Sequence, residues 1–132
     1  MRRRGEQTLL TLAQRRRAAC IEAVRAAIDA RRRNAALNAR RAAVGGPTLD
    51  LSIAHFGDVL YGNIGTARRL DFTVVGPAVN ELSRMEALGK ALGRGLLLSE
   101  SIAHRCDQPV LSIGPHELRG VAGSREMYVV AV

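Results

Sequence analysis

Apolar positions change period along the 132 residues, and each change marks an element. Between Ala18 and Ala43, Ile21, Val24 and Ile28 recur at three- and four-residue spacing in a run rich in Ala, Arg and Leu, which predicts a helix with one apolar stripe. Gly45-Gly46-Pro47 ends it, because glycine accepts a left-handed cap and proline cannot continue the hydrogen-bond ladder. The period then shortens, and Leu49–Phe56, Val59–Ile64 and Leu70–Val75 are predicted strands, with Gly62-Asn63 and Gly65 at a hairpin turn. Pro77 suits the first position of a helix, where its missing N–H costs nothing, and that helix is expected to run to about Gly89. Leu96–Leu98 reads as a short buried strand, Ser99 as the cap of a helix over Glu100–Cys106, and Val110–Ile113 and Met127–Val132 as final strands. Helices and strands interleaved within one domain's length predict a single α/β (α+β) domain.

Composition narrows this further. Hydrophobic residues make up 47% of the chain but aromatics only 3%, with no Trp, so the core must be built from Leu, Val, Ile and Ala. The net charge of +8 is uneven: residues 1–41 hold twelve Arg against three acids, a balance of +9, while the remainder stands at −1. Arg triplets at 2–4, 15–17 and 31–33 could bind phosphate backbones by counterion release. Without interleaved aromatics or a nucleic-acid motif they read instead as a solvated basic helix, and no specific nucleic acid is expected. The expected division is a basic arm over 1–17 and a domain over 18–132. Cys20 and Cys106 are far apart and in no metal or redox spacing, as in a reduced cytoplasmic protein. No apolar run approaches the roughly 20 residues of a membrane span, and the basic start lacks a signal-peptide core.

Polar groups with a candidate chemistry lie on the predicted helix after Pro77. Asn80 and Arg84 are four apart and share a face, with Leu82 and Met85 expected roughly opposite. Read alone, such a pair is a solvated helix surface, Thr73 is a β-branched strand residue, and Arg119 is an exposed strand-end arginine. His55, His104 and His116 lack ligand-like grouping and read as structural or surface residues.

The motifs carry more than their residues do singly. Gly62-Asn63-Ile64-Gly65, then Arg69-Leu70-Asp71-Phe72-Thr73-Val74-Val75-Gly76, then Val79-Asn80 followed by Ser83-Arg84-Met85-Glu86, resemble in order and distance the second half of a class III nucleotidyl cyclase catalytic domain. Leu96–Glu100 and Leu118–Val121 extend the resemblance, from about Ala18 to the C-terminus. It implies a ferredoxin-like sheet with helices on one face, N-terminally incomplete and preceded by a long basic helix. It also implies adenylyl cyclase chemistry, ATP to cyclic AMP and pyrophosphate. Asn80 would position the ribose and Arg84 would stabilise phosphate charge. Thr73 would read the base, where many relatives have Asp, and Arg119 would approach the triphosphate. The resemblance implies Mg²⁺ or Mn²⁺ held by two aspartates, but this chain shows no counterpart of the first. Gly5-Glu6-Gln7-Thr8-Leu9-Leu10 is a poor match to the hairpin carrying the second. Family sites form between two cyclase domains, so the expected partner is a second cyclase domain and the chain alone is expected to be inactive. The alternative is a non-catalytic regulatory or dimerisation module.

Overall fold

The computed structural model describes residues 2–49, 53–66, 69–93 and 95–131; the side chains of 2–12, 61 and 63–74 lie outside that description. One helix, α1, runs over Arg2–Ala43. At 1.5 Å per residue it is roughly 60 Å long, and residues 13–19 are exposed throughout. The basic arm and the predicted helix are therefore one element. Gly5–Leu10 is helical within it and forms no hairpin.

Among the described side chains of α1, only a short stretch reaches the core. Cys20 and Val24 are fully buried against Leu96, Leu98, Ile102 and Ala103, with Ala27 and Ile28 alongside. Burying an aliphatic side chain of this size contributes about 1.5–3 kcal/mol, so these few contacts anchor the helix. Beyond Ala43 the chain turns back and is held by side-chain amides. Asn34 and Asn38 each donate to the Leu49 carbonyl at 2.6 Å, and the Asn38 oxygen accepts the Leu49 N–H at 2.8 Å.

Among the described residues six strands and two further helices follow: β1 (Ile53–Ala54), β2 (Leu60–Thr66), β3 (Arg69–Val75), α2 (Pro77–Leu92), β4 (Leu97–Ser99), α3 (Glu100–Ala103), β5 (Val110–Glu117) and β6 (Ser124–Val130). The main sheet is mixed, in the order β1-β4-β6-β5, with β1 parallel to β4 and the other pairs antiparallel. The mixed α+β architecture expected from the sequence is present. Boundaries differ: α3 stops at Ala103, short of Cys106, while β5 extends to Glu117. Of the predicted first strand only Ile53–Ala54 is a strand, and Asp50–Ser52 lie outside the described residues, as does Val132 at the other end.

β2 and β3 form a separate hairpin, and here the expected turn is corrected. Pairing runs without a break from Leu60↔Val75 to Thr66↔Arg69, so Gly62–Gly65 sit inside β2 opposite Leu70–Thr73. The connection falls at 67 and 68, outside the described residues. Strand pairing over seven residues outweighs the turn preference of Gly and Asn, because each pair adds to the ladder.

The helices do not share one face. Around β4, Leu96 and Leu98 pack on the α1 and α3 side, whereas Leu97 packs with Met85 of α2, Leu118 and Met127. Alternation along the strand sends consecutive side chains to opposite faces. Since Cys20 and Val24 take the Leu98 side and Met85 the Leu97 side, α1 and α2 cover opposite faces.

Candidate functional site

The start of α2 is the best-defined polar locus in the fold. β3 delivers the chain to Gly76, the N-cap residue, whose φ of 139° is a conformation that side chains rarely adopt. A Cβ there would also stand 3.3 Å from the Asp58 carbonyl. With no side-chain cap present, the Gly76 carbonyl accepts from the Val79 and Asn80 N–H groups at 3.1 and 3.2 Å, and Pro77 occupies the first turn.

On α2, Ala78, Met85 and Gly89 are buried, which fixes the helix rotation. Asn80 and Arg84 then fall on the exposed side, adjacent to one another. Neither side chain has a hydrogen-bond or ion-pair partner among the described residues. Leu82 does not share the buried face with Met85; it is 38% exposed. Ser83 donates to the Val79 carbonyl at 3.2 Å, and Glu86 pairs with Lys90 at 2.9 Å. An amide beside a guanidinium fork, both without partners among the described residues, can bind a hydroxyl and a phosphate presented from outside.

Thr73 lies in β3 opposite Gly62, three residues before Gly76; its side chain is outside the described residues. Arg119 is exposed on the β5–β6 connection, where it lines a hollow of about 470 Å³ with Glu117 and Gly120. The structure thus brings Asn80 and Arg84 together, and among the described residues no contact joins Arg119 to them.

A second polar feature escaped the sequence reading. His55, just after β1, is half-buried as a residue, with its side chain only 9% exposed. Its Nε2 lies 3.1 Å from Glu81 Oε2. That is an ion-pair distance without hydrogen-bond geometry, and Nδ1 has no partner among the described residues. Burial pushes the imidazole pKa below its ordinary value, partly offset by the Glu81 carboxylate. His55 and Glu81 line a cleft of about 400 Å³ between α2, the start of α3 and β6. The available signal was Glu81 itself, four residues before Met85 and so on the flank of the buried stripe.

Among the described residues no three His, Cys, Asp or Glu gather as a metal site requires. No helix among them is long and apolar enough to cross a membrane.

No family model matches the chain. It is 39% identical over 64 residues, 48% of its length, to an adenylate cyclase of Anabaena cylindrica. It is 29% identical over 111 residues, 82% of its length, to adenylate cyclase 1 of Rhizobium meliloti. Among solved structures, the adenylyl cyclase CyaB from P. aeruginosa superimposes with a TM-score of 0.72 at 22% identity, over 86% of this chain and 59% of that one. A guanylyl cyclase superimposes with a TM-score of 0.69 at 23% identity, over 85% and 57%. In sequence and in fold the chain is similar to the class III cyclase catalytic domain. It spans 13% and 17% of the lengths of the two curated relatives.

Proposed function

We propose that this chain supplies the ribose- and phosphate-binding half of an adenylyl cyclase active site, completed by a second cyclase domain. In this reading the 3′ hydroxyl oxygen of ATP attacks the α-phosphorus and loses its proton. The bond to the β-phosphate oxygen breaks, and cyclic AMP and pyrophosphate leave. Asn80 holds the ribose in line, and the Arg84 fork binds phosphate oxygens as charge grows on them. Thr73, able to donate or accept, meets the base, and Arg119 meets the triphosphate tail. The observation that carries the reading is the exposed Asn80/Arg84 pair, without partners among the described residues, on the α2 face turned away from Met85.

The reaction class uses Mg²⁺ or Mn²⁺, and the described residues do not fit such a site, lacking a cluster of metal ligands. No step is therefore assigned to a metal held by this chain, and the chain alone is expected to turn over no ATP. A specific observation also favours the alternative, a dimerisation module. Leu60 and Val75, paired at the hairpin base that leads into α2, are 72% and 43% exposed, an apolar surface suited to a second domain.

One experiment separates the two. The chain is mixed with a related cyclase that keeps its metal aspartates but has a disabled Asn/Arg helix, and cyclic AMP is measured. Catalytic participation restores synthesis, and Arg84→Ala then removes about 100- to 1,000-fold of it, with Arg84→Lys recovering only part because a point charge cannot replace the fork. Restoration indifferent to both Asn80→Ala and Arg84→Ala assigns the chain a scaffold role instead.

A further inference from the structure

The cleft beside α2 is chemically unlike the Asn80/Arg84 surface. Its floor is apolar, formed by the buried Met85, Leu118 and Met127 with Phe56 beside them. Its rim carries four carboxylates, Asp58, Glu81, Glu100 and Glu126, against one guanidinium, Arg125. A cleft walled by low-dielectric surface and one sign of charge focuses its field on the opposite sign. Polyphosphates are repelled from it.

His55 adds a specific demand. A buried polar group without a partner costs on the order of 1–3 kcal/mol, and among the described residues its Nδ1 has none. With Nε2 facing the Glu81 carboxylate, the proton of the neutral ring belongs on Nε2, which leaves Nδ1 an acceptor. The two serine hydroxyls and Glu126 are already engaged. Ser101 donates to the Phe56 carbonyl at 2.7 Å, so the 2.9 Å contact between the hydroxyls is donated by Ser99. Glu126 accepts from Ser112 at 2.6 Å. Nδ1 is itself out of solvent, so a donor in the cleft meets it only when the imidazole that lines the cleft turns.

We propose that this cleft binds a small organic cation, a protonated amine on an apolar body, with the amine held between the Glu81 and Glu100 carboxylates and His55 Nδ1 and the body against Met85 and Met127. The volume of about 400 Å³ suits a single-ring amine. The site stands apart from the nucleotide reading above and holds whether or not that reading does.

The test uses the full chain and three probes of one shape at neutral pH: benzylamine, benzyl alcohol and benzoate. Affinities come from titrations followed by the ring nitrogen resonances of the histidines, with His55 identified from His55→Gln. Benzylamine should saturate and shift His55 selectively, binding about ten-fold tighter than benzyl alcohol, the effect of some 1.4 kcal/mol from the added charge. Glu81→Gln should remove most of that advantage while leaving benzyl alcohol unchanged, and its unfolding curve serves as the check on folding. The inference is overturned if benzoate binds as well as benzylamine, if the alcohol matches the amine, if the shifts fall on His104 or His116 instead, or if no probe saturates.

Discussion

The two faces of β4 are built differently. On one, Leu96 and Leu98 meet Cys20, Val24, Ile102 and Ala103 in an aliphatic layer that α1 and α3 close. That layer is tied at its edge by the Arg25–Asp107 ion pair and by Arg105, whose guanidinium sits 4.8 Å over the Phe56 ring and donates to the Ser101 carbonyl. On the other, Leu97, Met85, Leu118 and Met127 form a smaller layer that stops at an open cleft with a buried histidine in its wall. The closed face holds the larger apolar layer. The open one withdraws the His55 ring from water beside the helix that carries the candidate chemistry.

The largest effect should come from emptying the closed face. Leu98→Ala is expected to cost about 2–5 kcal/mol, because a fully buried leucine leaves a cavity its neighbours cannot fill. Met85→Ala should fall near the lower end of that range, since Met85 lines the cleft and water can enter. Chemical denaturation of both variants checks this, and a greater loss at Met85 would reverse the ranking of the faces.

Next is the contact that seats α2. A Cβ on Gly57 would stand 2.8 Å from the Ala78 Cβ and 3.3 Å from His55 Nε2, so the loop after β1 approaches the helix as only glycine can. Gly57→Ala should destabilise by about 1–3 kcal/mol through overpacking, whereas Gly62, with nothing within 4 Å of such an atom, should tolerate alanine far better. Equal losses at the two positions would show that the helix seat is not tightly set.

The pH dependence of the open face has a definite sign. His55 is held below its ordinary pKa of 6.5 by burial, so the unfolded chain takes up its proton first as pH falls. This contribution is fully present above pH 6.5 and is lost progressively below it, down to the depressed folded value. Thermal unfolding across pH 7.5 to 5 should therefore decline less steeply in His55→Gln than in the parent, and parallel profiles would place the histidine in solvent.

The smallest effect is expected at the proposed site. Asn80→Ala and Arg84→Ala should each change stability by no more than about 0.5 kcal/mol, as exposed positions without partners do. A larger loss in the same denaturation measurement would make the pair structural rather than reserved for a ligand.

Periodicity along the chain determines much of this protein without reference to tertiary contacts. The stripe of α1, the hairpin strands, the helix opening at Pro77 and the four-residue spacing of Asn80 and Arg84 are local properties of composition and backbone geometry. The motif order around them was enough to suggest the cyclase fold. Three features needed the folded chain. The hairpin turn moved from Gly62–Gly65 to beyond Thr66, because cross-strand register is set by pairing partners distant in sequence. The helices went to opposite faces because packing at Leu97 and Leu98, adjacent in sequence, chose between them. The His55–Glu81 pairing joins residues 26 apart, brought to 3.1 Å where the loop at Gly57 passes close to Ala78. Local sequence encodes which face of an element is apolar; which neighbour it meets is decided by long-range packing, and burial, charge pairing and the shape of the cleft follow from that choice.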